Sequence, residues 1–105
     1  MKAIHLTLNK KWFDMILSGE KKEEYREIKP YWLSRLKYHC NHLDMMHEFN
    51  HDYTHIIFKN GYSKTSPSIL IELNETKFGK AKPEWSGNWD GEVIILKLGQ
   101  IINPN

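Results

Sequence analysis

The stretch Ser18-Gly19-Glu20-Lys21-Lys22-Glu23-Glu24-Tyr25-Arg26 decides how this chain is read. In it a glycine ends an amphipathic helix and a charged run follows at strand spacing. Strands favour β-branched and aromatic residues and are depleted in Glu and Lys, so charge in this place needs a reason. Residues two apart share one face of a strand, which sets the Glu24 carboxylate beside the Arg26 guanidinium.

Upstream, Ala3-Ile4-His5-Leu6-Thr7-Leu8 alternates apolar and polar side chains and reads as a strand, with Asn9 as the cap of a helix reaching about Ser18. Trp12 with Ile16, and Phe13 with Leu17, fall at i and i+4 and form one buried stripe. Gly19 supplies the left-handed residue that reverses the chain, and Lys21 stands at the mouth of a strand over 23–28.

Downstream, Pro30 opens a second helix through Tyr31, Trp32, Leu33, Leu36 and Lys37. Residues 39–52 are polar, rich in histidine and without period, and read as a long loop or short helix. A strand over 53–58 leads to Asn60-Gly61, a pair suited to a tight turn. Strands over 68–76 and 92–98 follow, separated by a loop over 77–91 that carries Trp85 and Trp89. Strands outnumber helices and no βαβ rhythm appears, so the expected fold is α+β: a small, mostly antiparallel barrel with two main helices.

Length and composition agree with one domain. A chain of 105 residues with 40% hydrophobic residues can bury a modest core. Fifteen basic against 13 acidic residues leave a net charge of +2, so charge alone does not imply a broad electrostatic grip on duplex nucleic acid, and any such contact is expected to be local. Cys40 is the sole cysteine, so no intramolecular disulfide framework exists, and a reducing, cytoplasmic setting is expected. The apolar run 12–17 is interrupted by Asp14 and is too short for a signal peptide or membrane span, so no membrane association is expected.

Lys21, Glu24 and Arg26 combine an ammonium, a proton acceptor and a planar five-donor guanidinium. The same charges would also suit a solvated edge strand that resists aggregation. Asn60 and Tyr62 could bond or stack against a base with Ser63 and Lys64 near a phosphate, or could form an ordinary turn. Trp85 and Trp89 either roof a cleft or plug the barrel end. His5 reads as an ordinary strand side chain. His47, His51 and His55 recur every four residues near His39, Cys40 and His42, but helical spacing is lost at Tyr53, so no metal and no cofactor is expected.

The pattern Gly19-x-Lys21-x-x-Glu24-x-Arg26 resembles the signature of ASCH domains, small barrels of the PUA-like superfamily. Leu6-Thr7-Leu8 with Lys11-Trp12-Phe13, Phe58-Lys59-Asn60-Gly61-Tyr62 and Val93-Ile94-Ile95-Leu96-Lys97-Leu98-Gly99 are similar to stretches of small phage and bacterial members, and together they cover nearly the whole chain. The resemblance implies a cleft beside the helix-to-strand turn that binds RNA or a modified nucleoside or nucleotide. Lys21, Glu24, Arg26, Asn60, Tyr62 and Lys64 would contribute to it.

Similar N4-acetylcytidine amidohydrolases use a lysine two residues after the glycine, a threonine five after it and a later glutamate. Here Lys21 matches, Glu24 replaces the threonine, and the later glutamate has no recognisable counterpart. Another branch is credited with ribonuclease activity, for which Lys21 and Glu24 would be the reactive pair. Binding is therefore the expected function, with hydrolysis of RNA or of an acylated base as the enzymatic alternative and a protein-binding regulatory module as the third.

Overall fold

A computed structural model describes residues 1–104. Its elements in chain order are β1 (Ala3–Leu8), α1 (Lys10–Leu17), β2 (Glu23–Arg26), α2 (Pro30–Arg35), β3 (Tyr38–Asn41), β4 (Met46–Phe49), β5 (His55–Asn60), β6 (Ser68–Lys80), α3 (Pro83–Ser86) and β7 (Glu92–Pro104). The first helix begins where Asn9 predicts, its side-chain oxygen accepting the Trp12 amide at 3.2 Å. It ends at Gly19, whose φ of 85° lies in the left-handed region that glycine enters without steric penalty.

Five strands form one sheet in the order β1-β5-β6-β7-β2. The β1–β5 pair is parallel, with Ala3 opposite His55 and Leu8 opposite Asn60; the other pairs are antiparallel. Register shifts between Leu70 and Glu75 interrupt the β6–β7 ladder, and such bulges bend a sheet. The sheet curls into a half-barrel whose edge strands, β1 and β2, are not bonded to each other. Its concave face holds Ile4, Leu6, Ile56, Phe58, Ile69 and Leu96, all nearly inaccessible, closed over by Phe13 and Ile16 of α1. The α+β, mostly antiparallel expectation is met at this level; the sheet is an open, curled one, and three short helices replace the expected two.

Several boundaries differ from the sequence reading. The charged strand stops at Arg26, and the second helix stops before Lys37, which takes a left-handed φ of 51°. Residues 39–52 are chiefly a β-hairpin: Tyr38 pairs with Phe49 and Cys40 with His47. Its turn is built by Asn41 accepting the Leu43 amide at 2.9 Å and Asp44 accepting the Met46 amide at 3.1 Å, bonds that leave no hydrophobic period to detect. One face of the hairpin is carried by Tyr38 and Phe49, whose rings lie 5.3 Å and 5.0 Å from Phe78. Phe78 belongs to β6, which runs on to Lys80 rather than ending at Thr76, so the expected 77–91 loop shrinks and gains the helix α3. Leu17, expected in the buried stripe, is half exposed. Among the described residues no helix is long and apolar enough to cross a membrane.

Candidate functional site

The turn at Gly19 sends the chain back beneath α1, and the Lys21 amide bonds the Met15 carbonyl at 2.9 Å. This closure drives the Lys21 side chain into the protein, where it is only 1% exposed. An ammonium so placed requires acceptors, because desolvating an unpaired charge is costly. It finds the Glu23 carbonyl at 2.6 Å, the Trp85 carbonyl at 2.9 Å and Glu24 Oε1 at 3.2 Å. The faces of Tyr25 and Trp12 lie 4.7 Å and 5.3 Å from it. Burial pulls the Lys21 amine below the ordinary lysine range, and the Glu24 carboxylate opposes that shift.

Glu24 is the hub of the cluster. Oε1 also accepts the Tyr25 amide at 3.0 Å, and Oε2 is ion-paired with Arg26 Nη2 at 3.2 Å. The strand alternation that predicts Glu24 and Arg26 on one face is thus observed as an ion pair. Arg26 rests on Trp32, its guanidinium carbon 5.1 Å from the ring centre, and its Nε is buried with no partner. Tyr25 donates its hydroxyl to Glu23 Oε1 at 2.7 Å and accepts the Lys82 amide at 3.2 Å. Burial, with the Glu23 carboxylate adding to it, holds the Tyr25 phenol well above the usual tyrosine range.

A cleft of about 490 Å³ opens over this cluster. It lies between the free edges of the half-barrel, with Thr7 and Leu8 of β1 on one side and Glu24, Tyr25 and Arg26 of β2 on the other. Its remaining wall is aromatic. Trp12, Trp32, Trp85 and Trp89 all line it, and these are the four tryptophans of the chain. Cations and carboxylates alternate along the rim, with Glu27 and Lys29 next to Arg26.

Of the residues singled out from sequence, Lys21, Glu24 and Arg26 come together, although Lys21 sits beneath the cleft rather than in its lining. Asn60, Tyr62 and Lys64 do not line it. Asn60 ends β5, its amide bonding the Pro67 carbonyl at 3.0 Å, and the chain leaves at Gly61 into a loop over 61–67 rather than a tight turn. Tyr62 on that loop is 93% exposed, and Lys64 is exposed as well. Ser63 and Ser66 bond each other there. Trp85 and Trp89, left open between plug and roof, border the cleft.

Sequence reasoning missed Trp12 and Trp32 as site residues. A signal was present: Pro30-Tyr31-Trp32 and Pro83-Glu84-Trp85 repeat one pattern, and in both the proline starts a short helix whose third residue is a tryptophan turned to the cleft. Among the described residues no three His, Cys, Asp or Glu side chains are placed to hold a metal. His51 Nε2 instead bonds the Thr76 hydroxyl at 2.8 Å, and His55 Nδ1 bonds Thr54 at 2.7 Å. His5 is exposed on β1. In comparison with known proteins, the chain matches no family model, and no curated protein and no solved structure is significantly similar to it.

Proposed function

We propose that this chain is a PUA-like ASCH domain that binds RNA or a modified nucleoside in the cleft above the Lys21–Glu24–Arg26 cluster. The observation that supports it is the gathering of four tryptophans and one arginine around a single cavity. Unpaired bases are recognised by stacking on aromatic rings and guanidinium planes, and each such stack contributes about 1–3 kcal/mol. A volume of about 490 Å³ lies within the range of small-ligand sites. Arg26 and Lys29 on the cleft wall offer cationic partners to a ligand carrying a phosphate. A lone cysteine suits a reducing cytoplasm.

Hydrolysis by Lys21 and Glu24 is the competing reading, because their amine and carboxylate are 3.2 Å apart. Binding is favoured because both groups are already saturated by protein partners and buried. Incubation of the protein with N4-acetylcytidine and with single-stranded RNA, followed by chromatography and calorimetry, tests it. Saturable heat with unchanged ligand is the expected result. Product formed by the wild type and absent with Glu24→Gln establishes the hydrolase instead.

A further inference from the structure

An ammonium carries three protons, and Lys21 has three acceptors: the Glu23 carbonyl, the Trp85 carbonyl and Glu24 Oε1. These contacts turn the ammonium inward, and a protonated amine has no lone pair with which to attack a ligand. Two of these bonds stay within the charged segment itself. The third reaches 64 positions along the chain to the end of α3.

That helix spans only Pro83–Ser86, too short to persist without outside support. Its capping residue Lys82 donates its amide to the Tyr25 hydroxyl at 3.2 Å, while the Trp85 carbonyl near its last turn accepts Lys21. Both ends are therefore fastened by residues of the charged segment. The following turn is held locally, by Asn88 bonding the Pro83 carbonyl and Trp89 bonding the Ser86 hydroxyl, each at 3.2 Å. Trp85 and Trp89 thus form a wall whose position depends on Lys21, beneath the cleft, and on the Tyr25 hydroxyl within it.

We propose that Lys21 and Tyr25 are positioning residues that fasten the Trp85–Trp89 wall to β2 and so set the width of the cleft. This rests on the reading of the cleft as the ligand site, but the tether itself can be tested without ligand. The protein is labelled with 5-fluorotryptophan, and its four fluorine signals are assigned by single Trp→Phe variants. Lys21→Met and Tyr25→Phe should each shift and broaden the Trp85 and Trp89 signals while Trp32 stays in place. An unmoved Trp85 signal in either folded variant overturns the proposal, and Tyr25→Phe decides it alone should Lys21→Met not fold.

Binding supplies the second arm, with cytidine 5′-monophosphate as the probe. Trp85→Ala should weaken affinity roughly tenfold, as loss of one stacking ring does. Tyr25→Phe should weaken it in the wild-type background and add nothing in the Trp85→Ala background, because a residue acting through Trp85 has no effect once that ring is gone. Full additivity overturns the proposal. Absence of any binding by wild type with the fluorine shifts intact rejects the ligand reading and leaves the tether standing.

Discussion

Lys21 and Glu24 form an ion pair at 3.2 Å with side chains 0% and 6% exposed, in a chain too small to hide charge without consequence. Taking such a pair out of water costs several kcal/mol per ion, and the cost is offset only when every remaining proton and lone pair is satisfied. Here Lys21 meets two backbone carbonyls besides Glu24, and Glu24 meets a backbone amide and Arg26 besides Lys21, while Arg26 Nε is left buried without a partner. The pair is a keystone joining the helix turn, β2 and α3.

It follows that Glu24→Ala should lower unfolding free energy by about 3–5 kcal/mol, because it strands a buried ammonium. Glu24→Gln, which keeps an acceptor, should lose less. Lys21→Met combined with Glu24→Leu should be more stable than Glu24→Ala alone, since no unpaired charge remains. Urea titrations of the variants check the order, and a Glu24→Ala protein within experimental error of wild type contradicts it.

Much of the frame was legible from sequence for local reasons. The cap at Asn9, the left-handed Gly19 and the shared face of Glu24 and Arg26 are dictated by neighbours within a few residues. The hairpin over 38–49 was not legible, because its strands are exposed and lean on Phe78 of a distant strand. Nor was the cleft. Trp12, Trp32, Trp85 and Trp89 meet only after the sheet curls, and the helical period of 12–17 assigns Trp12 to the core rather than to a wall. Tyr62 and Lys64 lie outside this cleft because the Asn-Gly pair opens a longer loop rather than a tight turn.

Gly19→Ala should destabilise the protein by about 1–2 kcal/mol, the cost of a side chain in the left-handed region. Space is not the obstacle, since an added methyl would meet only the Lys22 amine at 3.6 Å. Thermal unfolding measures the loss, and an unchanged melting temperature would show that the turn relaxes freely.

His51 should make stability depend on pH in the mildly acidic range. Its half-buried ring, bonded to Thr76 and beside Tyr53, is held below the ordinary histidine pKa of 6.5 by burial, with the Asp52 carboxylate opposing the shift. Below 6.5 the unfolded chain takes up a proton that the folded one resists, so stability present above that value is lost as pH falls towards the folded pKa. The melting temperature should therefore drop between about pH 7 and pH 5, and His51→Asn should flatten that part of the profile. An equal slope in the variant assigns the dependence to another group.

Arg26→Ala should weaken nucleoside or RNA binding by about tenfold or more, whereas Lys37→Ala should leave it unchanged, because Arg26 lines the cleft and Lys37 does not. Arg26→Lys should rescue little, since lysine lacks the planar fork that lies on Trp32. Isothermal titration of the three variants with single-stranded RNA checks this. Equal affinities would remove Arg26 from the site.

The most direct test of the account is a titration of ¹⁵N-labelled protein with cytidine, N4-acetylcytidine and single-stranded RNA, followed at the four tryptophan indole N–H signals. A ligand seated in the cleft should shift the signals of Trp12, Trp32, Trp85 and Trp89 saturably while the amides of the 38–49 hairpin stay in place. Indole signals unmoved by all three ligands, or shifts confined to the hairpin, would contradict it.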